Sequence, residues 1–267
     1  MLTVGSLFSG IGGFDLGLER TGGFKVVWQV ENDPYCQLVL AKHWPNVPRY
    51  GDIRSIDWRS VPRVDLLCGG FPCQDLSYAG KRAGIDGERS GLWSEFHRAI
   101  VYLRPALVLV ENVPGLLSNA YLGRVLGNLA ESGYDAEWDC VPASAVGAPH
   151  RRDRIWITAY CRANDQGQPT RSIHDEASCV PSNVAVPIGQ QSEGRHHGVE
   201  RRQRSQSIFT ETGGARDAVA DEWWAVEPDV GRVAHGVPAR VDRLKGLGNA
   251  VVPQVVEWIG RRLLEVL

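Results

Sequence analysis

The 267-residue chain has no Cys-x-x-Cys pair and no histidine spacing suited to zinc, so no metal site is expected. Its six cysteines are scattered at positions 36, 68, 73, 140, 161 and 179. That scatter argues for free thiols in a reducing compartment and against a disulfide framework. No apolar stretch approaches the ~20 residues of a membrane span. Met1 to Ser6 lacks the charged segment and long apolar run of a secretory signal. A soluble, cytoplasmic protein is expected, without a membrane partner. A formal net charge of −2 means that any nucleic-acid partner must be met by local basic patches. No internal repeat is visible. What is present is an apolar share of 43% and nine tryptophans, enough for one large α/β domain or a main domain with a smaller one.

Leu2 to Leu7 reads as a strand running into Phe8-Ser9-Gly10-Ile11-Gly12-Gly13-Phe14-Asp15, followed by a helical stretch to Arg20. Strand, glycine-rich turn and helix open a nucleotide-binding βαβ unit, in which glycines let a ligand approach the backbone. The G-x-G-x-x-G fingerprint is broken, because Asp15 stands at its third glycine. A tight strand-to-helix turn is the competing reading. The next strand, Lys25 to Val30, ends in Glu31, about 20 residues past the glycines and placed to accept hydrogen bonds from ribose hydroxyls. Asp33-Pro34 caps and opens a helix to about His43. Asp52, after a short third strand, is placed to accept from an adenine amino group; either carboxylate alone reads more readily as a capping or solvated group. Two carboxylates at successive strand ends point to an adenosine-type cofactor.

The run Val64 to Leu67 predicts a buried strand, and it delivers Cys68-Gly69-Gly70-Phe71-Pro72-Cys73-Gln74. Pro72 fixes φ immediately before a thiol, and a nucleophile held still in a loop at a strand end loses less entropy on attack. The alternative is a structural cysteine at a turn. Tyr78 to Gly91 is polar, glycine-rich and long for a connection, which suggests a functional loop. Leu92 to Leu103 has helical spacing, with Ser90 as its cap. Ala106 to Val110 predicts another buried strand, bringing Glu111 to the same edge as Cys73 if the strands are parallel. A carboxyl there is partly desolvated and suited to sharing a proton; a helix-capping Glu is the other possibility. Tyr121 to Ser132 reads as a helix, and Tyr134 to Val141 and Arg154 to Tyr160 as strands. Between those strands lie Arg151, Arg152 and Arg154, either a solvated run or a holder of phosphate or carbonyl oxygen.

From about Arg162 to Ala220 the chain is polar and without clear period, with basic spots at Arg195-His196-His197 and around Arg201, Arg202 and Arg204. Such a stretch is either an irregular insertion or a nucleic-acid contact surface. Order returns at Trp223-Trp224 and more clearly at Val241 to Ala250, and Val252, Val255, Val256, Ile259 and Leu263 then trace one face of a C-terminal helix that should dock on the main domain.

Taken in order, these segments resemble the DNA cytosine-5 methyltransferase family, of bacterial or phage type. Phe8 to Gly13 is similar to the family's cofactor turn, and Glu31 and Asp52 fall at its acidic positions. Gly70-Phe71-Pro72-Cys73-Gln74 resembles its nucleophile loop and Glu111-Asn112-Val113 its carboxylate motif. Arg152-Asp153-Arg154 matches its Arg-x-Arg, and Arg243 to Val252 its late motifs around Gly-Asn-Ala-Val. The resemblance covers roughly 1–160 and 241–267. One departure is His150, where the family usually has Gln.

The resemblance implies an α/β, Rossmann-like S-adenosylmethionine-dependent methyltransferase sheet with helices on both faces. Residues 1–161 and 241–267 would form the catalytic domain, and 162–240 a small irregular target-recognition region. It implies Cys73, Glu111, Arg152 and Arg154 as catalytic residues. S-adenosyl-L-methionine would be held by Phe8, Gly10, Gly12, Gly13, Glu31, Asn32, Asp52, Ile53, Pro72, Asn249, Ala250 and Val251. Double-stranded DNA would meet Gln74, Ser77, Lys81, Arg82, Arg201, Arg202 and Arg204. A monomer is expected, with a cognate restriction endonuclease as a functional rather than physical partner. Two alternatives are an RNA (tRNA) cytosine-5 methyltransferase and a nicotinamide-dependent oxidoreductase. A third is a catalytically silent DNA-binding relative. The base that removes the carbon-5 proton is not named by the sequence.

Overall fold

The structure is a computed structural model and describes residues 1–72, 91–117, 119–162 and 240–266. Cys73, Gln74, Ser77, Lys81, Arg82 and Ser90 lie outside the described residues. So do the rest of the Tyr78–Gly91 loop short of Gly91, residues 163–239 of the expected recognition region, and with them Arg201, Arg202 and Arg204.

The strands are β1 (Leu2–Leu7), β2 (Phe24–Val30), β3 (Arg49–Tyr50), β4 (Leu66–Gly69), β5 (Leu107–Asn112), β6 (Tyr134–Val141) and β7 (Arg154–Cys161). The helices are α1 (Gly13–Arg20), α2 (Pro34–His43), α3 (Leu92–Leu103), α4 (Asn119–Glu131), α5 (Arg240–Asn249) and α6 (Pro253–Val266). All seven strands form one sheet in the order β3-β2-β1-β4-β5-β7-β6. The first five run parallel, and β7 inserts antiparallel between β5 and β6. This is the Rossmann-like arrangement expected from the sequence. The order reverses between β1 and β4, and in open α/β sheets ligands bind in the crevice beyond the carboxyl ends of the strands at such a point.

Alternation along the strands sends successive side chains to opposite faces. Leu67, Val108, Val110, Ile155 and Ile157 join Trp93, Phe96 and Ile100 of α3 and Val125 and Leu129 of α4 in one core. Leu66, Leu107, Leu109 and Trp156 join Phe14 and Leu18 of α1 and Val256, Ile259 and Leu263 of α6 in the other. The C-terminal helix thus docks where its apolar stripe requires. Gly17 of α1 makes the contact close: a Cβ there would strike the Pro253 carbonyl oxygen and lie 2.5 Å from Val256 Cβ.

Several strand boundaries differ from the sequence reading by one or two residues, and two of the shifts have a visible cause. β4 begins at Leu66, not Val64, because Asp65 is taken up by side-chain bonds: its Oδ2 accepts from Thr3 N and Thr3 Oγ1, both at 2.7 Å. β5 runs past Val110 to Asn112, because β7 pairs with it through Glu111↔Trp156 and Asn112↔Ile155. Glu111 therefore sits within a hydrogen-bonded ladder and not on a loose strand end. Among the described residues, no helix is long and apolar enough to cross a membrane.

Candidate active site

The first half of the site is the turn after β1. Phe8, Gly10 and Gly12 all take positive φ, at 51°, 56° and 88°, a conformation that glycine adopts without strain and that Phe8 adopts at a cost. Among the described residues, a Cβ at Gly10 would meet only the Phe8 carbonyl oxygen, at 4.0 Å. Gly12 and Gly13 are small for a different reason. A Cβ on Gly12 would strike the Trp44 ring, and one on Gly13 would lie 2.7 Å from Val251 Cγ2. Those two glycines admit the chain's own neighbours.

Glu31, which is buried, spans the turn: its Oε2 accepts from Gly10 N at 2.7 Å and its Oε1 from Asp33 N at 2.8 Å. Each oxygen keeps a second lone-pair direction for another donor. Asn32 is exposed beside it. Asp52 follows β3 and caps the 3-10 turn Ile53–Ser55, with Arg54 paired to it at 2.6 Å; Ile53 is buried beneath. These residues stand at the carboxyl ends of β1, β2 and β3, beside the β1/β4 reversal.

Beneath the turn the structure reveals a polar contact that the sequence reading missed. Asp15 is fully buried; its Oδ2 accepts from Ser6 Oγ at 3.0 Å and its Oδ1 from Gln29 Nε2 at 2.7 Å. Burial pushes its carboxyl up to about 6, against the pull of the Gln29 and Ser6 bonds. The residue that breaks the dinucleotide fingerprint thus bridges α1 to β1 and β2. Ser6↔Gln29 pairing in the ladder was the only clue, and it appears only once the register is known.

The second half lies at the ends of β4 and β5. Arg154 Nε meets Glu111 Oε1 at 2.8 Å, with both side chains largely buried. Glu111 and Trp156 are opposite each other in the ladder, and Arg154 is the next residue of β7 on the same face. Desolvation raises the Glu111 carboxyl to about 7, even though Arg154 and Arg152 both pull it down. A carboxyl poised there can exist in either protonation state near neutral pH. Asn112 points to the other face, and its Nδ2 donates to the Phe71 carbonyl at 3.1 Å. Gly70 touches the acid directly: a Cβ built there would lie 2.7 Å from Glu111 Oε2. The segment Gly70-Phe71-Pro72 is therefore held against Glu111 just before Cys73. Asn112 and Gly70 were named in the sequence motifs without a role.

The third element is the late segment. Arg152, at φ 41°, donates through Nη2 to the Gly248 carbonyl at 2.7 Å and the Ala250 carbonyl at 2.6 Å. Asn249 ends α5 exposed, and Ala250 and Val251 are half-buried, Val251 lying against Gly13 of the turn after β1. The structure thus brings Glu111, Arg152 and Arg154 together, with Gly70 against Glu111 on one side and Ala250 bonded to Arg152 on the other.

A sequence model of C-5 cytosine-specific DNA methylases matches residues 2–216. The chain belongs to this family. Among similar proteins are the type II methyltransferases M2.BsuMI of Bacillus subtilis strain 168 and M.Bsp6I of Bacillus sp. strain RFL6. The first is 42% identical over 168 residues, covering 59% of this chain and 42% of that protein. The second is 38% identical over 165 residues, covering 60% and 52%. The chain spans about half, or less, of the length of these curated relatives. In fold, it is similar to a prophage-encoded protein of E. coli described as a candidate DNA modification methyltransferase. That match has a TM-score of 0.60 at 19% identity and covers 100% of this chain and 99% of that one. The S. pombe Dnmt2 methyltransferase gives 0.52 at 21%, covering 60% and 51%. The residues matched by the family model run through the site just described and on into the polar stretch beyond Cys161. Among the described residues, no group of three or more His, Cys, Asp or Glu could hold a metal ion.

Proposed function

We propose that the protein is a DNA cytosine-5 methyltransferase acting on a cytosine extruded from duplex DNA, with S-adenosyl-L-methionine as methyl donor. The observation that carries this reading is the Glu111–Arg154 pair, buried and set against the Gly70–Pro72 segment that leads into Cys73. Family membership supports DNA over the RNA reading and stands against the oxidoreductase.

Carbon 5 of cytosine is a poor nucleophile, and covalent addition at carbon 6 makes it enamine-like. The Cys73 thiolate adds to carbon 6, and electron density moves toward carbon 5 and ring N3. Glu111, protonated, binds N3 and shares or gives its proton there, which its raised pKa favours. Arg154 holds the base's O2 while orienting Glu111 through Oε1. Arg152 fixes the late segment at Gly248 and Ala250, next to the cofactor turn. When bound, the donor supplies an electrophilic methyl group on a sulfonium. Phe8, Gly10, Gly12, Gly13, Glu31, Asn32, Asp52, Ile53, Pro72, Asn249, Ala250 and Val251 would hold it. Loss of the carbon-5 proton to a base then expels the Cys73 thiolate and restores the aromatic ring.

This chemistry needs the base out of the stack, which costs roughly a few kcal/mol. Gln74, Ser77, Lys81 and Arg82 would meet the DNA with Arg201, Arg202 and Arg204, and the Tyr78–Gly91 loop would close over the base. The region 162–240 would read the sequence in the major groove. The enzyme would work as a cytoplasmic monomer, alongside an endonuclease of the same specificity. Bisulfite sequencing of DNA from cells expressing the protein tests the reading: protected cytosines are expected within one fixed sequence, and none with Cys73→Ser. Fully converted DNA from cells making the wild-type protein, or undiminished protection by Cys73→Ser, would overturn it.

A further inference from the structure

Lys245 lies 212 positions from Asp33 in the chain, yet its Nζ sits 2.7 Å from Asp33 Oδ2. Asp33 has two other engagements. Its Oδ1 caps α2 by accepting from Tyr35 N at 3.0 Å and Cys36 N at 3.2 Å, and its own N–H donates to Glu31 Oε1. Glu31 Oε2 in turn accepts from Gly10 N. A continuous set of polar contacts therefore runs from the cofactor turn through Glu31 and Asp33 to α5.

The backbone beyond Lys245 lies against the same turn. Gly246 is buried, and a Cβ there would lie 3.2 Å from Ile11 Cγ2 and 3.7 Å from Tyr35 Cε1. Val251 O is 2.9 Å from where a Gly13 Cβ would stand. The segment is thus tied on its catalytic side by Arg152, at Gly248 and Ala250, and on its cofactor side by Lys245. The Lys245 side chain is 62% exposed. Such a pair contributes little to folding, but it can hold one segment in register over another.

We propose that Lys245 is a positioning residue for the methyl donor. Its ion pair with Asp33 straps residues 245–251 over the cofactor turn and slows departure of the bound donor. The inference rests on the reading of Gly10 and Glu31 as the donor's cradle. Lys245 touches neither DNA nor the reacting atoms in this scheme, so its effect belongs on donor affinity and not on the chemical step.

The test uses the full chain, with S-adenosylhomocysteine as the probe in calorimetry and stopped-flow dissociation. Lys245→Met and Asp33→Asn, the latter keeping a good helix cap, are each expected to weaken binding about threefold and to speed dissociation. The double variant should be no weaker than either single one, and Lys245→Arg should bind like the wild type. High salt should bring the wild type toward Lys245→Met, since an exposed pair is screened. In turnover, Lys245→Met should raise KM for S-adenosylmethionine without lowering kcat. Equal probe affinity in the wild type and both single variants would overturn the strap while leaving the cradle standing. A wild type that binds no S-adenosylhomocysteine would overturn the cradle itself and the strap with it.

Discussion

A methyl group added at Gly70 would press on the acid at the centre of the site. The Cβ of Gly70→Ala would lie 2.7 Å from Glu111 Oε2 and 3.3 Å from the Glu111 carbonyl oxygen. A carbon and an oxygen rest at about 3.3–3.6 Å, so the carboxylate oxygen must withdraw by roughly half an ångström or more. Gly70 does not have positive φ, and alanine can adopt its backbone conformation. The strain therefore falls on the acid, whose Oε1 is held by Arg154 at 2.8 Å. Because the end of a side chain can yield, the folding cost should be near the low end of overpacking, about 1 kcal/mol. The cost in rate should be far greater, since misplacing a reacting group by about 1 Å can cost on the order of 10²-fold. Single-turnover transfer of labelled methyl groups into DNA measures the second quantity, and thermal denaturation the first. A rate constant within about twofold of wild type would refute the role assigned to Glu111.

The Glu111 carboxyl also gives stability a pH dependence that can be isolated. Its pKa is about 7 in the folded protein, above the ordinary 4.5 of the unfolded chain. The folded state therefore holds a proton that the unfolded state has released between those values. This contribution is complete below pH 4.5 and is lost as pH rises through 7. Glu111→Gln should remove that decline, measured as urea midpoints across the range; Asp15, raised to about 6, acts with the same sign but is common to both proteins. An identical slope in the variant would show that Glu111 is not desolvated. At the far side of the sheet, Gly17→Ala would drive a methyl group into Pro253 and Val256 and should cost about 1–3 kcal/mol. Unchanged urea unfolding would mean that α6 does not seat on α1.

Much of the site was legible because its parts are local. The Gly10–Gly13 turn, Asp33-Pro34 at the start of α2 and the end of β4 at Gly69 each rest on backbone chemistry that neighbouring residues spell out. The same holds for the apolar stripe of α6, whose period survives without knowledge of its partner. Asp15 shows where this stops. In sequence it is a missing glycine, whereas in the fold it is a buried carboxylate bonded to Ser6 and Gln29. Nothing local distinguishes the two, because its partners lie on two different strands.

The amino-acid order by itself determined where strands, turns and caps form and that Glu31 and Glu111 stand at strand ends, since short-range pattern governs such elements. Tertiary structure decided which of them meet. Arg154 reaches Glu111 because β7 enters the sheet antiparallel, so that its first residue, and not its last, lies at the carboxyl edge of β5. Lys245 reaches Asp33 because α5 returns to the start of α2 from the far end of the chain. Contacts of that kind follow from sheet order and strand direction, which no window of neighbouring residues encodes.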